Sequence, residues 1–455
     1  MELRNKKVLV VGLGKTGEAT ADFLLLHGAR VKISEKKPES KLGARAAFWK
    51  ERGARIEAGG HRLASFLESD LIVPSPGVPP LPELVEAAER GIPVISEIEL
   101  AHQFLKGTVV GVTGTNGKST TTTLIHKILK AGGLKAFLAG NIGTPLLSFV
   151  EKSREDHIYV TELSSFQLEY ARSFRAPVSV FLNISQNHLD WHPTFEGYFA
   201  AKKKLVTAQK KGDRAVLNRD DALVWTLKNE TESDVFGFSR KRQVARGCFL
   251  SDGWIVIRDE EERRLMPVSE IKLPGLHNRE NVMAAAVAGH LLGVPRPVMR
   301  RTIRDFRGLE HRLERVLTLR GIEFVNDSKA TTVDATIKAI ESFDRPIVLI
   351  LGGKDKGADF TRLRRTVKSR IKKVILVGAA REKIQKALEG TASMEEALSF
   401  GEVVPRAFAA ASAGDIVLLA PACTSWDMFR NFEERGRTFK RNVRRLAAKL
   451  KKGRA

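Results

Sequence analysis

The stretch GVTGTNGKSTTTTL, residues 111–124, constrains the fold more than any other part of the chain. An apolar run leads into alternating glycines and polar residues, then a lysine, then a run of hydroxyl residues. That order describes a strand, a loop that wraps a phosphate and the first turn of a helix. The strict spacing of such loops places a glycine five residues before the Gly-Lys pair. Here Val112 holds that place and the glycines fall at Gly111 and Gly114, so the loop is a variant. Gly114, Thr115, Asn116, Gly117, Lys118, Ser119 and Thr120 are read as the nucleoside triphosphate site. Lys118 is the phosphate-binding cation, and the hydroxyl of Ser119 or Thr120 is a metal ligand.

The same alternation recurs along the chain and predicts an α/β protein with parallel sheets. In a first segment, to about residue 95, KKVLVVGLGKTG, ARVKISEKK and DLIVPSPGVP read as strands. A second segment begins near GTVVGVTGTNGKS and continues through HIYVTELSS, PVSVFLNIS and RAVLNRD. Between 235 and 273 short strands with charged turns suggest an antiparallel addition, and LPGLHNRENVMAAAVAGHLLGV reads as a loop capping an alanine-rich helix. A third segment starts near residue 312, with strands at GIEFVNDSKA, RPIVLILGGKDKG, KKVILVGAA and DIVLLAPACTS. A length of 455 residues fits roughly two to four domains. Polar residues cluster where strands end, which is where open α/β sheets bind ligands.

Composition narrows the class. Cys248 and Cys423 are far apart in sequence, against a disulfide scaffold or a paired-thiol metal site. The basic start and short apolar run at the N-terminus lead straight into a glycine turn, so they read as a strand and not a signal peptide. No apolar stretch approaches the roughly 20 residues of a membrane span. A soluble, cytoplasmic protein is expected. The net charge of +23 is densest in RGRTFKRNVRRLAAKLKKGRA, where Phe439, Val443, Leu446 and Leu450 fall at helical spacing. Only three tyrosines occur and no basic-aromatic interleaving is seen, so the charge is read as a solvated surface with no nucleic-acid partner.

Several further motifs carry chemistry. GLGKTG places Gly12, Gly14 and Gly17 in dinucleotide spacing, with Glu35 about 20 residues beyond the turn; this suits NAD, FAD or another diphosphate. Glu162 ends a strand and is a natural partner in a magnesium site. His188, Asp190 and His192 follow another strand, and a metal role for His188 competes with a structural one. FAAKKKLV, with Lys202, Lys203 and Lys204, reads as a helix face that is solvated for two of its three lysines. Asp327, Ser328, Lys329 and Thr331, then Lys354 and Lys356, then Ser425 and Phe432 sit on three loops that would make an anion site.

In sequence order, GVTGTNGKST, GNIG, TELSSFQLE, NHLDWH, FAAKKKL, LPGLHNREN, EHRLE, NDSKAT and PACTSWDMFRNFEERG resemble the Mur ligases. VGLGKTG, SPGV, NDSKAT and APAC are similar to the branch of that family that adds D-glutamate. The resemblance runs from about residue 6 to 440. It implies three domains: a Rossmann-like UDP-substrate domain at 1–96, a P-loop ATP and magnesium domain at 97–305, and a Rossmann-like amino-acid domain at 306–455. It also implies ligation of D-glutamate to UDP-N-acetylmuramoyl-L-alanine through an acyl phosphate, in cytoplasmic peptidoglycan precursor synthesis, by a monomer. A related Mur or folylpolyglutamate-type ligase adding another amino acid is the alternative.

Carried over position by position, the resemblance makes Lys118, Lys202, His188 and Glu162 catalytic. Two magnesium ions would be held by Ser119, Glu162, His188 and Lys202, the last as a carbamate. Asn278, Asn281, Arg312, Asp327 and Lys329 would join the ATP site. Gly14, Lys15 and Thr16 would meet the UDP diphosphate, Glu35 and Lys37 the uracil, with Ser75, Pro76, Gly77 and Asn141 completing that site. Thr331, Lys356, Ser425 and Phe432 would hold D-glutamate. Two departures stand out: Asn187 where an acidic residue is common, and Trp426 where a smaller aliphatic residue is usual.

Overall fold

Three sheets follow one another along the chain in the computed structural model, which describes residues 1–187 and 191–452. The first has four parallel strands in the order Arg55–Ala58, Arg30–Glu35, Lys7–Val11, Leu71–Pro74. Val8 to Val11 are all buried, as strands covered on both faces require. The helix Lys15–Leu26 starts at the glycine turn. Each glycine of that turn has its own reason. Gly12 has φ +88°, and a methyl group on Gly17 would lie 2.0 Å from the carbonyl oxygen of Gly12. Helix and strand therefore approach more closely there than any side chain permits.

The second sheet has nine strands. Its order is Glu262–Pro267, Trp254–Arg258, Gly247–Ser251, Asp234–Ser239, Arg214–Asn218, Val178–Phe181, Thr108–Thr113, His157–Glu162 and Lys135–Gly140. The expected antiparallel addition is present in the last three strands in sequence. Asp234–Ser239 and Gly247–Ser251, however, pair in parallel. Val244, in the link between them, is buried in a small cluster with Phe249 and Val256. Gly237 and Gly247 meet so tightly that a Cβ on Gly247 would lie 1.9 Å from the Gly237 carbonyl oxygen.

The third sheet has six strands, in the order Glu314–Leu319, Ile322–Asn326, Ile416–Leu419, Ile347–Gly352, Ile371–Val377, Ser393–Glu396. Only the first pair is antiparallel. The helix Phe432–Lys452 covers one side, with Phe439 and Val443 buried and Leu446 packed beside them. Arg441, Arg444, Arg445 and Lys449 face solvent. Among the described residues no helix is long and apolar enough to cross a membrane.

The chain folds as two compact bodies, residues 1–271 with 279–305, and residues 272–278 with 306–455. In the first body the four- and nine-stranded sheets share one apolar core. Val8, Val10 and Leu24 lie in the same cluster as Ile98, Leu146, Leu147 and Tyr159. Trp191 Nε1 also donates to the Val78 carbonyl at 3.0 Å. The helix Glu97–His102, at the expected boundary, therefore belongs to a continuous core and not to a linker.

Candidate active site

The strand Thr108–Thr113 delivers the phosphate loop to the helix Lys118–Ala131. Gly117 caps that helix in the left-handed region, φ +84°. A side chain there is excluded twice over, since its Cβ would lie 2.2 Å from Asn281 Oδ1. Thr115 and Asn116 are fixed by the strand-end loop at Asn183: Asn116 N–H donates to Asn183 Oδ1 at 2.9 Å and Thr115 N–H to its carbonyl at 2.9 Å. Lys118 Nζ donates to the carbonyls of Gly114 at 2.7 Å and Thr115 at 2.9 Å. Its charge thus sits inside the loop that would receive a phosphate. Ser119 and Thr120 are buried in the first helical turn.

Two groups converge on this loop. Glu162 ends the neighbouring strand, paired with Val112, and is 2% exposed. Its Oε1 accepts from Asn141 Nδ2 at 2.8 Å. Its Oε2 is buried and accepts no hydrogen bond from the described residues. A buried carboxylate oxygen without a donor costs free energy unless a cation or donor meets it, so this donor set fits a divalent ion. Lys202, on the helix Phe195–Thr207, is 1% exposed. Its Nζ reaches Thr113 Oγ1 at 3.2 Å and the Gly114 carbonyl at 3.1 Å. Burial, and then the nearby Lys118 charge, hold its ammonium well below the ordinary lysine range, against the pull of Glu162. Lys202 is the lysine of the run that leaves the solvated face; Lys203 is partly exposed and pairs with Glu230 at 2.8 Å, and half-buried Lys204 donates to the Glu169 carbonyl. His188 and Asp190 lie outside the described residues. His192 is buried, 3.9 Å from a Glu169 oxygen.

A cavity of about 500 Å³ in the same body is lined by Gly14, Lys15, Thr16, Glu35, Ser75, Pro76, Gly77 and Asn141. Lys37 is not in its lining; Lys36 is. The strand ends at Glu35, so its alternation no longer dictates which of the next two side chains points inward. Lys37 contributes its backbone N–H to Glu35 Oε1 at 3.1 Å, while Leu13 N–H reaches Glu35 Oε2 at 2.8 Å. Glu35 thereby braces the glycine turn. Lys15 Nζ donates to the Gly143 carbonyl. His61, which sequence reasoning missed, also lines the cavity, hydrogen-bonded to Ser34 Oγ at 2.8 Å.

In the second body Thr331 and Lys356 line a cavity of about 260 Å³ together with Lys354 and Thr424. Ser425 is buried outside that lining. Phe432 lies under Lys329, whose Nζ is 5.1 Å from the ring centroid. Asp327 is buried and its carboxyl is pushed up to about 7 by desolvation, against the opposing charge of Arg312. Asn278 belongs to this body and donates to the Pro274 carbonyl at 2.6 Å. Asn281 belongs to the other.

Arg435 is a second residue that sequence reasoning missed. It is fully buried and joins two of the loops, donating to Ser328 Oγ at 3.0 Å, the Ser328 carbonyl at 2.8 Å and the Cys423 carbonyl at 3.1 Å. Its place four residues before Phe439 put it on the buried helix face.

Three family models match the chain: the Mur ligase MurD-like N-terminal domain over residues 6–96, the Mur ligase middle domain over 112–289, and the Mur ligase glutamate ligase domain over 311–423. The UDP-N-acetylmuramoylalanine–D-glutamate ligase of Koribacter versatilis is 45% identical over 454 residues, 99% of this chain and 100% of the relative. Its counterpart in Acidobacterium capsulatum is 47% identical over 444 residues, 97% of this chain and 96% of the relative. Among solved structures, a pseudomurein peptide ligase type C from Methanothermus fervidus superposes with a TM-score of 0.59 at 18% identity, covering 96% of this chain and 100% of that one. MurF ligase from Thermotoga maritima in complex with ADP gives 0.58 at 16% identity, covering 98% and 97%. These two likenesses establish the fold.

Proposed function

This chain belongs to the Mur ligase family, and on that premise we propose that it joins D-glutamate to the carboxyl group of UDP-N-acetylmuramoyl-L-alanine. It is an ATP-dependent ligase. The relatives at 45% and 47% identity, aligned over nearly their whole length, carry that activity in their names. The single structural observation that supports the reading best is the trio at the phosphate loop. A buried lysine, Lys202, sits beside a second lysine, Lys118, and a carboxylate, Glu162, whose Oε2 lacks a donor among the described residues.

The chemistry explains the trio. A substrate carboxylate oxygen attacks the terminal phosphorus of ATP, forming an acyl phosphate and releasing ADP. The amine of D-glutamate then attacks the acyl carbon, loses a proton, and the tetrahedral intermediate expels phosphate. Two anions must meet in the first step, so positive charge has to be fixed in advance. Lys118 supplies part of it by turning from the carbonyls of Gly114 and Thr115 to the phosphate. Glu162, Ser119, His188 and Lys202 would hold magnesium, which would supply further charge neutralisation. For that role Lys202 would carry a carbamate, formed when its neutral amine adds carbon dioxide and gives up a proton. Desolvation by burial, and then the neighbouring Lys118 charge, favours the neutral amine over the ammonium.

The division of labour we assign is UDP substrate to 1–96, ATP and magnesium to 97–305, and D-glutamate to 306–455. The cavity with Lys15, Lys36 and the Gly14 turn suits a diphosphate. Thr331 and Lys356 suit a carboxylate. Asn278, Asn281, Arg312, Asp327 and Lys329 are assigned to the nucleotide, and Ser425 and Phe432 to the amino acid. We place the reaction in the cytoplasm, with the monomer as the working unit. Labelling the muramoyl-alanine carboxylate with heavy oxygen tests the route. One labelled oxygen should appear in the released phosphate when D-glutamate is present; unlabelled phosphate contradicts the acyl phosphate.

A further inference from the structure

Lys356 is held in a way that carboxylate binding alone does not require. Its Nζ lies 4.4 Å from the centroid of the Trp426 ring. That ring is 60% exposed and belongs to none of the apolar clusters seen among the described residues, although Cys423 before it and Phe429 after it both pack into one. Packing therefore does not account for the indole. The two loops are fastened next to the pair. Lys354 and Thr424 exchange backbone hydrogen bonds at 2.9 and 3.1 Å, and Thr424 Oγ1 adds a third to the Lys354 carbonyl at 2.9 Å.

The carboxylates at the cavity or beside the pair are engaged elsewhere: Asp334 and Asp359 line the cavity, Asp334 paired with Arg362 and Asp359 accepting from Thr361 N–H at 3.0 Å. Asp355 accepts from Lys383 Nζ at 2.6 Å and from Ala358 N–H at 2.8 Å. Asp427 accepts from Ala379 N–H at 2.9 Å. Among the described residues Lys356 is in no ion pair, yet it lines the cavity of the second body.

An aromatic face attracts an ammonium without neutralising it. A carboxylate would hold the lysine more firmly, but would compete with any anionic ligand. We propose that Trp426 is a positioning residue for the incoming amino acid, holding the Lys356 ammonium at the cavity and covering the ion pair it forms with a substrate carboxylate. This rests on the assignment of D-glutamate to that cavity.

The test compares Trp426→Leu and Trp426→Phe with the unaltered enzyme at saturating ATP and UDP substrate. The leucine variant should raise KM for D-glutamate about three- to tenfold with kcat within about twofold. The phenylalanine variant should stay within about twofold for both. Because the ring lies outside every core, the thermal midpoint should not move in either variant. D-Glutamate should also change the tryptophan emission of the unaltered enzyme and not that of Trp426→Phe. An unchanged KM in Trp426→Leu overturns the role of the ring. A fall in kcat and thermal midpoint together, without recovery in the phenylalanine variant, overturns it in favour of a structural role. An unaltered enzyme that does not turn over D-glutamate at all overturns the assignment of the amino acid, and the inference with it.

Discussion

Asn141 donates from Nδ2 to Glu162 Oε1 at 2.8 Å, while its backbone N–H donates to the Glu162 carbonyl at 2.9 Å. One asparagine therefore lines the cavity of about 500 Å³ and braces the carboxylate beside the phosphate loop. The sequence assigns Asn141 to the UDP substrate; the structure adds the second task. Removing it should affect substrate binding and turnover together. Asn141→Ala is expected to lower kcat/KM for the UDP substrate about ten- to a hundredfold, the cost of a hydrogen bond to a charged group. Asn141→Asp should be worse, because it sets a second carboxylate against Glu162. Steady-state kinetics with the UDP substrate varied checks both; an aspartate variant more active than the alanine variant would contradict the bracing role.

Lys202 has no room to act as a surface cation. Lys202→Ala is expected to lose at least about a hundredfold in kcat. Formate or acetate at high concentration should restore part of it by supplying the missing carboxylate-like group. Lys202→Arg should be inactive and not rescued, because a guanidinium cannot form a carbamate and fills the space. Full activity in the alanine variant would exclude the proposed carbamate.

Glu97 gives a pH dependence with a definite sign. It is fully buried at the first turn of the helix Glu97–His102; Oε1 accepts from Leu147 N–H at 2.6 Å, and Oε2 lacks a donor among the described residues. Burial pushes its carboxyl up to about 7 from an ordinary 4.5. Between those values the folded chain keeps a proton that the unfolded chain has lost. Stability from this group therefore falls as pH rises from about 4.5 to about 7 and is level above, a change of about 3 kcal/mol. Glu97→Gln mimics the protonated form. Its gain in thermal midpoint over the unaltered protein should be near zero at about pH 5 and several degrees at about pH 8. A gain independent of pH would contradict the buried proton.

Gly17 leaves no space for a side chain. A methyl group would lie 2.0 Å from the Gly12 carbonyl oxygen and 2.9 Å from Ser75 Oγ. Helix and strand would have to separate, so Gly17→Ala should destabilise the fold by about 2 kcal/mol or more and raise KM for the UDP substrate. Gly14 has open space at its Cβ position, so Gly14→Ala should leave the thermal midpoint within about a degree. Differential scanning calorimetry on both variants separates the two glycines.

The parts of this molecule legible in sequence are those that local pattern dictates. The phosphate loop, the glycine turn and the apolar strands of all three sheets follow from periodicity and turn chemistry over a dozen residues. What was not legible depends on distant residues. The parallel pairing of Gly237 with Gly247 is decided by how Val244 packs. The core shared by Val8 and Tyr159 is invisible in either segment alone. Lys36 replaces Lys37 at the cavity because alternation fails past a strand end. Arg435 and Glu97 were hidden for another reason: charged residues are ordinarily read as exposed, and their burial depends on backbone partners supplied from far along the chain.

The most direct measurement is phosphate release with ATP, magnesium and UDP-N-acetylmuramoyl-L-alanine, with D-glutamate, L-glutamate or neither added. Release that requires the UDP substrate and D-glutamate, and fails with L-glutamate, is the predicted result. Release that ignores the UDP substrate, or that prefers another amino acid over D-glutamate, would contradict the ligation of D-glutamate to this substrate.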